Sequence, residues 1–156
     1  MNLRIGYGED SHALSEGRPL VIGGIKIESP VGAVAHSDGD VLLHALSDAL
    51  LSAFALGDIG SYFPPSDPQF KDMDSQKILE HIGLEIHKVS GQFKLHNVAA
   101  VVMLDKPKLG NYRQAIQENV ANLLGLGKSD VGVTFKTSEG LAMQHIQARV
   151  TLLVST

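Results

Sequence analysis

The 156-residue chain contains no cysteine. That absence excludes a disulfide scaffold, a thiolate metal site and a cysteine nucleophile together. It also gives no sign of an oxidising compartment. Long apolar runs are missing too: the longest, Val98 to Leu104, falls far short of a membrane span. Met1 to Asp10 includes Arg4 and Glu9 and has no apolar core of the kind that drives secretion. Positive charge is not in excess, with 13 Lys+Arg against 17 Asp+Glu and a net charge of −4. Non-specific binding to nucleic acid or to a membrane surface is therefore not expected. There is no repeat, no low-complexity tract and no linker. A G-x-x-x-x-G-K-[ST] phosphate loop is absent, and Gly6-Tyr7-Gly8 lacks the third glycine and the helix of a dinucleotide fingerprint. What remains is a globular chain, expected to form one domain over residues 1–156 and to reside in the cytoplasm. Its hydrophobic fraction of 44% and charged fraction of 19% suit a packed core.

Periodicity supplies the elements. Leu3 to Gly8 alternates like a strand, and Pro19 to Ile27 reads as a hairpin turning at Gly23-Gly24. Asp40 to Leu56 predicts a helix stopped by Gly57. Gly60 to Asp74, with three prolines, predicts a loop. A second helix is expected from Ser75 to Lys88, with Ile78, Leu79, Ile82, Ile86 and Val89 as its apolar stripe. Val98 to Leu104 reads as a strand buried on both faces. A third helix is expected over Tyr112 to Leu124, on a stripe of Tyr112, Ile116, Val120 and Leu123. Alternation predicts strands at Val131 to Phe135 and at His145 to Val154. Intermixed strands and helices point to an α/β or α+β sandwich with helices on one sheet face.

Several clusters could carry chemistry. Asp10 and His12, two apart on an extended chain, point to one side and could share a divalent metal. A polar loop end explains them equally simply. His36-Ser37-Asp38-Gly39-Asp40 runs into the first helix. Ser37 to Asp40 fits a capping box, and the acids suit the helix dipole. The same helix start, with Ser37, could instead hold a phosphate. Asp40, His44 and Asp48 stack on one helix face, so a carboxylate one turn away could hold one imidazole nitrogen and leave the other for a metal. If the strand end lies beside the helix, Asp10, His12 and His44 form a His₂Asp set. Three such ligands leave a tetrahedral Zn²⁺ one open position, the mark of a catalytic site. Lys136 to Gly140 and Lys106-Pro107-Lys108 suit either polar turns or contacts to phosphate and nucleotide, and Glu139 could hold Mg²⁺. His81, His87 and His96 read as structural or solvated.

In order along the chain stand Gly6-Tyr7-Gly8-Glu9-Asp10-Ser11-His12, His36-Ser37-Asp38-Gly39-Asp40, and His44-Ala45-Leu46-Ser47-Asp48-Ala49-Leu50. Leu56 to Gly60, Phe63-Pro64, Pro107-Lys108 and Thr137-Ser138-Glu139 follow. With these motifs the sequence resembles the 2-C-methyl-D-erythritol 2,4-cyclodiphosphate synthase family over nearly its whole length. The resemblance implies an α+β, ferredoxin-like subunit in a homotrimer with interfacial active sites. It implies a cytidine diphosphate-linked substrate, 4-diphosphocytidyl-2-C-methyl-D-erythritol 2-phosphate, whose 2-phosphate attacks its own β-phosphate to give the cyclic diphosphate and CMP. It places Zn²⁺, or another divalent transition metal, at Asp10, His12 and His44, and Mg²⁺ or Mn²⁺ at Glu139 with the substrate diphosphate. It assigns His36 and Thr137 to transition-state stabilisation. Ser37, Asp58, Ile59, Gly60, Phe63 and Asp67 would line the phosphate and erythritol end. Leu104, Asp105, Lys106, Pro107, Lys108, Leu109 and Gly110 would form the cytidine pocket of an adjacent subunit. Lys136 and Ser138, an amine and a hydroxyl suited to phosphate, are further candidate substrate contacts on their own chemistry. Two departures are visible: Pro65 stands where many members carry an acid, and the loop after Glu139 is short. A metal-dependent phosphohydrolase on the same fold, with water as attacker, is the alternative reading.

Overall fold

The computed structural model describes residues 1–156. Strand β1 (Leu3–Glu16) is far longer than the alternation of Leu3 to Gly8 suggests. Its extension past Gly8 carries the polar residues Glu9 to His12, which alternation of apolar residues cannot flag. Strands β2 (Leu20–Ile22) and β3 (Ile25–Ile27) form the expected hairpin, with Gly23 and Gly24 at φ +61° and +77°. Strand β4 (Val31–Ala33) pairs with the far end of β1. Helix α1 (Val41–Ala53) follows, then a single turn, α2 (Ile59–Tyr62). Helix α3 (Ser75–Ser90), strand β5 (Lys94–Leu104), helix α4 (Arg113–Leu124) and strands β6 (Val131–Lys136) and β7 (His145–Ser155) complete the chain.

The main sheet has the order β4-β1-β7-β5-β6, and β2-β3 stands apart as a two-stranded ribbon. Only β5 and β6 run parallel; the other pairs are antiparallel. The architecture is α+β. Helices cover one face, and alternation does the rest: Val98, Ala100, Val102 and Leu104 of β5 are buried with Ile146, Ala148, Val150, Leu152 and Val154 of β7. The opposite face is open in the single chain, where Leu3, Ile5, Tyr7 and Val101 are all exposed. β5 is thus covered on one side only, contrary to the expectation of a strand buried on both. Two helix stripes are also narrower than expected: Val89 and Leu123 lie outside the core. Each sits in the last turn of its helix.

α1 is nearly all buried, Val41 to Ser47 included. Two glycines of β1 make room for it. A Cβ on Gly6 would lie 2.0 Å from the Ala49 carbonyl oxygen, and one on Gly8 would lie 2.2 Å from that of Ala45. Only glycine lets backbone approach backbone so closely. The outcome is that His44 of α1 meets the polar stretch of β1.

Candidate metal centre

Asp10, His12 and His44 come together as the sequence suggests. Their nearest ligand atoms all lie within 4.8 Å of one another. Asp10 Oδ2 is 2.8 Å from His12 Nε2 and 3.0 Å from His44 Nδ1. The two rings meet edge to face, 5.6 Å between centroids. His12 Nε2 is close to the carboxylate but misaligned, leaving a buried ring nitrogen without a hydrogen bond. Such a group is costly unless something else engages it. One carboxylate oxygen and two imidazole nitrogens, one of them orphaned, fit a divalent cation with an affinity for nitrogen donors.

Electrostatics agree. Burial alone would raise the Asp10 carboxyl, yet the imidazoles of His12 and His44 hold it down at about 2. Burial alone would lower His44, yet the Asp10 hydrogen bond and the charges of Asp10, Asp40 and Asp38 carry it upward. Negative potential thus converges on the His44 ring, which favours a cation at this point.

The other face of His44 differs from the expectation. Neither Asp40 nor Asp48 touches it. Asp40 is the N-cap of α1, and its carboxylate accepts from the amides of Leu43 (3.0 Å), Gly23 (2.9 Å) and Gly24 (2.7 Å). It ties the β2–β3 turn to the helix start, and its complete burial raises it to about 6. Asp48 accepts from the Ile59 amide at 2.8 Å, so it fixes the start of α2 instead. Helix spacing placed both acids on the right face, but backbone amides claim them first. His44 Nε2 lies instead 2.8 Å from Ser75 Oγ and 3.1 Å from Ser37 Oγ. The expected capping box is likewise replaced, since Asp40 caps and the one backbone amide that reaches Ser37 Oγ is that of Gly39, at 3.2 Å.

The remaining candidates gather in two groups. His36 Nε2 is 3.1 Å from the Asp67 carbonyl oxygen, and the Asp72 amide donates to the His36 carbonyl at 2.8 Å. The Asp38 amide donates to the Met73 carbonyl at 3.1 Å. Residues 36–38 and the loop of residues 67–73 therefore run side by side next to His44. Phe63 packs edge to face on Phe70 and His81 beneath this loop. Asp58 caps α2, with its side chain accepting from the Ser61 amide, and Gly60 lies exposed in that turn.

The second group is organised by Asp105. Its carboxylate accepts from the amide and hydroxyl of Ser138 and from the Gly140 amide, which holds it low. This clamps Thr137 to Gly140 into a tight turn with Glu139 at φ +57° and exposed. Lys106, Lys108 and Lys136 are exposed beside it. Leu104, Asp105 and Leu109 are buried, so they shape this segment from within; Pro107 lies in its bend, and Gly110 opens the short 3-10 turn that leads into α4. Register relates the groups: His12 of β1 and Leu104 of β5 both pair with Ile146 of β7. They share one end of the sheet, separated by β7, or roughly 10 Å at ordinary strand spacing. Sequence reasoning missed Ser75 and the clamp role of Asp105. No local motif marks either, because their partners lie more than thirty positions away.

The chain matches the YgbB family over residues 3–155. It is 53% identical to a 2-C-methyl-D-erythritol 2,4-cyclodiphosphate synthase of Thermus thermophilus, over 97% of this chain and 99% of that protein. It is 57% identical to the same enzyme of Deinococcus radiodurans, over 97% and 93%. A solved structure of 2C-methyl-D-erythritol-2,4-cyclodiphosphate synthase superposes with a TM-score of 0.90 at 53% identity, covering 97% of this chain and all of that one. Another, in a form bound to CDP, gives 0.91 at 50% identity with the same coverage.

Proposed function

The chain belongs to the YgbB family of 2-C-methyl-D-erythritol 2,4-cyclodiphosphate synthases, and from that premise we propose how its own residues carry out the ring closure. The enzyme is a phosphorus–oxygen lyase. It converts 4-diphosphocytidyl-2-C-methyl-D-erythritol 2-phosphate to the 2,4-cyclodiphosphate and CMP. The observation that carries the reading is the Asp10, His12 and His44 triangle with its unpartnered buried nitrogen, in a chain 53% identical to such a synthase.

Attacker and target are both phosphates of one molecule. Two problems follow: like charges repel, and a floppy chain must be bent into a ring. Bound there, Zn²⁺ or a similar metal at the triangle and Mg²⁺ or Mn²⁺ with the diphosphate would supply positive charge and Lewis acidity. Asp10, His12 and His44 would hold the first, and Glu139 would reach the second. His36 and Thr137 donate hydrogen bonds to the phosphate oxygens whose charge grows as the bond forms. Ser37 binds the phosphate beside them. Asp58, Ile59, Gly60, Phe63 and Asp67 orient the erythritol end. Leu104 to Gly110, Lys136 and Ser138 form the nucleotide side, consistent with a CDP-bound relative. Because attack is intramolecular, holding the two phosphates near contact supplies much of the acceleration. No side-chain nucleophile is needed.

A ferredoxin-like subunit acting as one domain over 1–156 would present its open sheet face to further copies. The exposed Leu3, Ile5, Tyr7 and Val101 on that face favour a homotrimer, with each nucleotide pocket serving a neighbour's metal centre. The test is metal depletion. Protein stripped with a chelator should release no CMP from the cytidylated substrate, and Zn²⁺ with Mg²⁺ should restore release. CMP release at the full rate by verified metal-free protein would refute the metal assignment.

A further inference from the structure

Behind the metal triangle lies a buried polar chain that the reaction itself does not require. Ser75 opens α3 and is completely buried. Its amide donates to Asp38 Oδ2 at 3.0 Å, and its hydroxyl donates to Asp38 Oδ1 through a short contact. Asp38 Oδ1 also accepts from the Asp40 amide at 3.0 Å, so this carboxylate is fixed from both sides of the loop. A hydroxyl has one proton. With that proton given to Asp38, Ser75 Oγ can only accept from His44 Nε2, 2.8 Å away. Ser37 Oγ, at 3.1 Å from the same nitrogen, offers a second acceptor.

From this geometry we infer that Ser75, fixed by Asp38, is a positioning residue that keeps the proton of His44 on Nε2 and turns the Nδ1 lone pair to the metal. The inference rests on the metal reading above. The physical logic has two parts. The protonated Nε2 leaves Nδ1, the atom 3.0 Å from Asp10 Oδ2, as the sole ligand nitrogen. Two oxygens behind the ring also fix its rotation and raise its donor strength. Ser75 belongs to α3 while His44 belongs to α1 and Asp10 to β1, so the chain Asp38–Ser75–His44–Asp10 joins three elements at one imidazole.

The test uses the full-length protein. Zinc is titrated into metal-free wild type, Ser75→Ala and Ser75→Thr against a chromophoric chelator. The side-chain ¹⁵N–¹H spectrum of His44 is recorded on each zinc-loaded form. Losing the hydroxyl should weaken zinc binding by about 10- to 100-fold and remove the slowly exchanging Nε2 proton. Ser75→Thr, which keeps the hydroxyl, should recover most of the affinity. A merely structural role would lower the melting temperature of metal-free Ser75→Ala without moving zinc affinity, and that result overturns the inference. If Ser75→Ala does not fold, the wild-type spectrum decides alone: an unprotonated Nε2 on zinc-loaded His44 refutes the role. Failure of wild type to bind zinc at all is a separate outcome, seen before any variant is made, that removes the metal reading and this inference with it.

Discussion

Replacing Gly8 with alanine should damage the proposed metal centre without touching Asp10, His12 or His44. The added Cβ would sit 2.2 Å from the Ala45 carbonyl oxygen and 2.4 Å from the Ala49 amide nitrogen. Non-bonded heavy atoms are comfortable only near ~3.5 Å, so α1 must retreat from β1 by roughly 1 Å. Forced overpacking of this kind costs about 1–3 kcal/mol. At roughly 2–4 °C per kcal/mol for a chain of this size, the melting temperature should fall by several degrees. The functional loss should be larger. His44 rides on α1, whereas Asp10 and His12 ride on β1, and metal–ligand distances tolerate only about ±0.2 Å. A misplacement near 1 Å costs on the order of 100-fold in turnover. Gly83→Ala is the control: apart from its chain neighbours and its own helix backbone, nothing lies within 4 Å of the added Cβ, and in a helix interior it should stabilise by about 0.5–1 kcal/mol. Differential scanning fluorimetry, zinc competition and CMP release on both variants give the answer. Native zinc affinity and native turnover in Gly8→Ala would refute the claim that glycine-licensed contact of α1 and β1 builds the site.

Other consequences can be checked with the same protein. His44→Ala should keep its far-ultraviolet circular dichroism while losing bound zinc by elemental analysis and nearly all turnover; a zinc-free variant with full activity would contradict the assignment. Glu139→Gln should shift the Mg²⁺ titration of activity to higher concentration and leave zinc content unchanged; superimposable titration curves would exclude Glu139 from that role. The metal-free protein should show a pH optimum of stability. Asp10, held at about 2, contributes stability above its unfolded value near 3.8, and loses it as pH falls towards 2. His44 is raised, so its contribution is full below its unfolded value near 6.5 and fades as pH rises through its folded value. Melting temperature of the metal-free protein should therefore peak in mild acid and decline on both sides, with the alkaline decline abolished by zinc; an unchanged alkaline limb with zinc bound would contradict it. Light scattering should report about three times the chain mass, and a monomer would remove the shared-site arrangement.

Much of this was legible in the sequence, for reasons that differ by element. The buried stripe of α3 and the alternation of β7 are periodic, and periodicity survives without knowledge of partners. The Gly23-Gly24 turn announces itself because two successive residues at positive φ call for glycine. The metal triangle was readable only as a possibility, since the meeting of β1 and α1 depends on Gly6 and Gly8 facing backbone across the fold. The roles of Asp40 and Asp48 differ from the expectation because helix spacing tells where a carboxylate starts, not which amide it reaches. Asp40 finds the Gly23 and Gly24 amides, and Asp48 finds that of Ile59. Ser75 was invisible because its meaning lies in His44 and Asp38, brought to it by the packing of α3 beside α1. The one-sided burial of β5 escapes sequence reading because an unbroken apolar run looks the same whether its second face meets a helix or stays open, as it does at Val101.

The most direct measurement of the central claim is ³¹P NMR of the product mixture. Purified protein would be given 4-diphosphocytidyl-2-C-methyl-D-erythritol 2-phosphate with Zn²⁺ and Mg²⁺. Ring closure predicts CMP and a cyclic diphosphate in equal amounts, with two coupled diphosphate resonances and no free inorganic phosphate. CMP accompanied by linear phosphate monoesters would instead show water as the attacker, and the chain would be a metal-dependent phosphohydrolase.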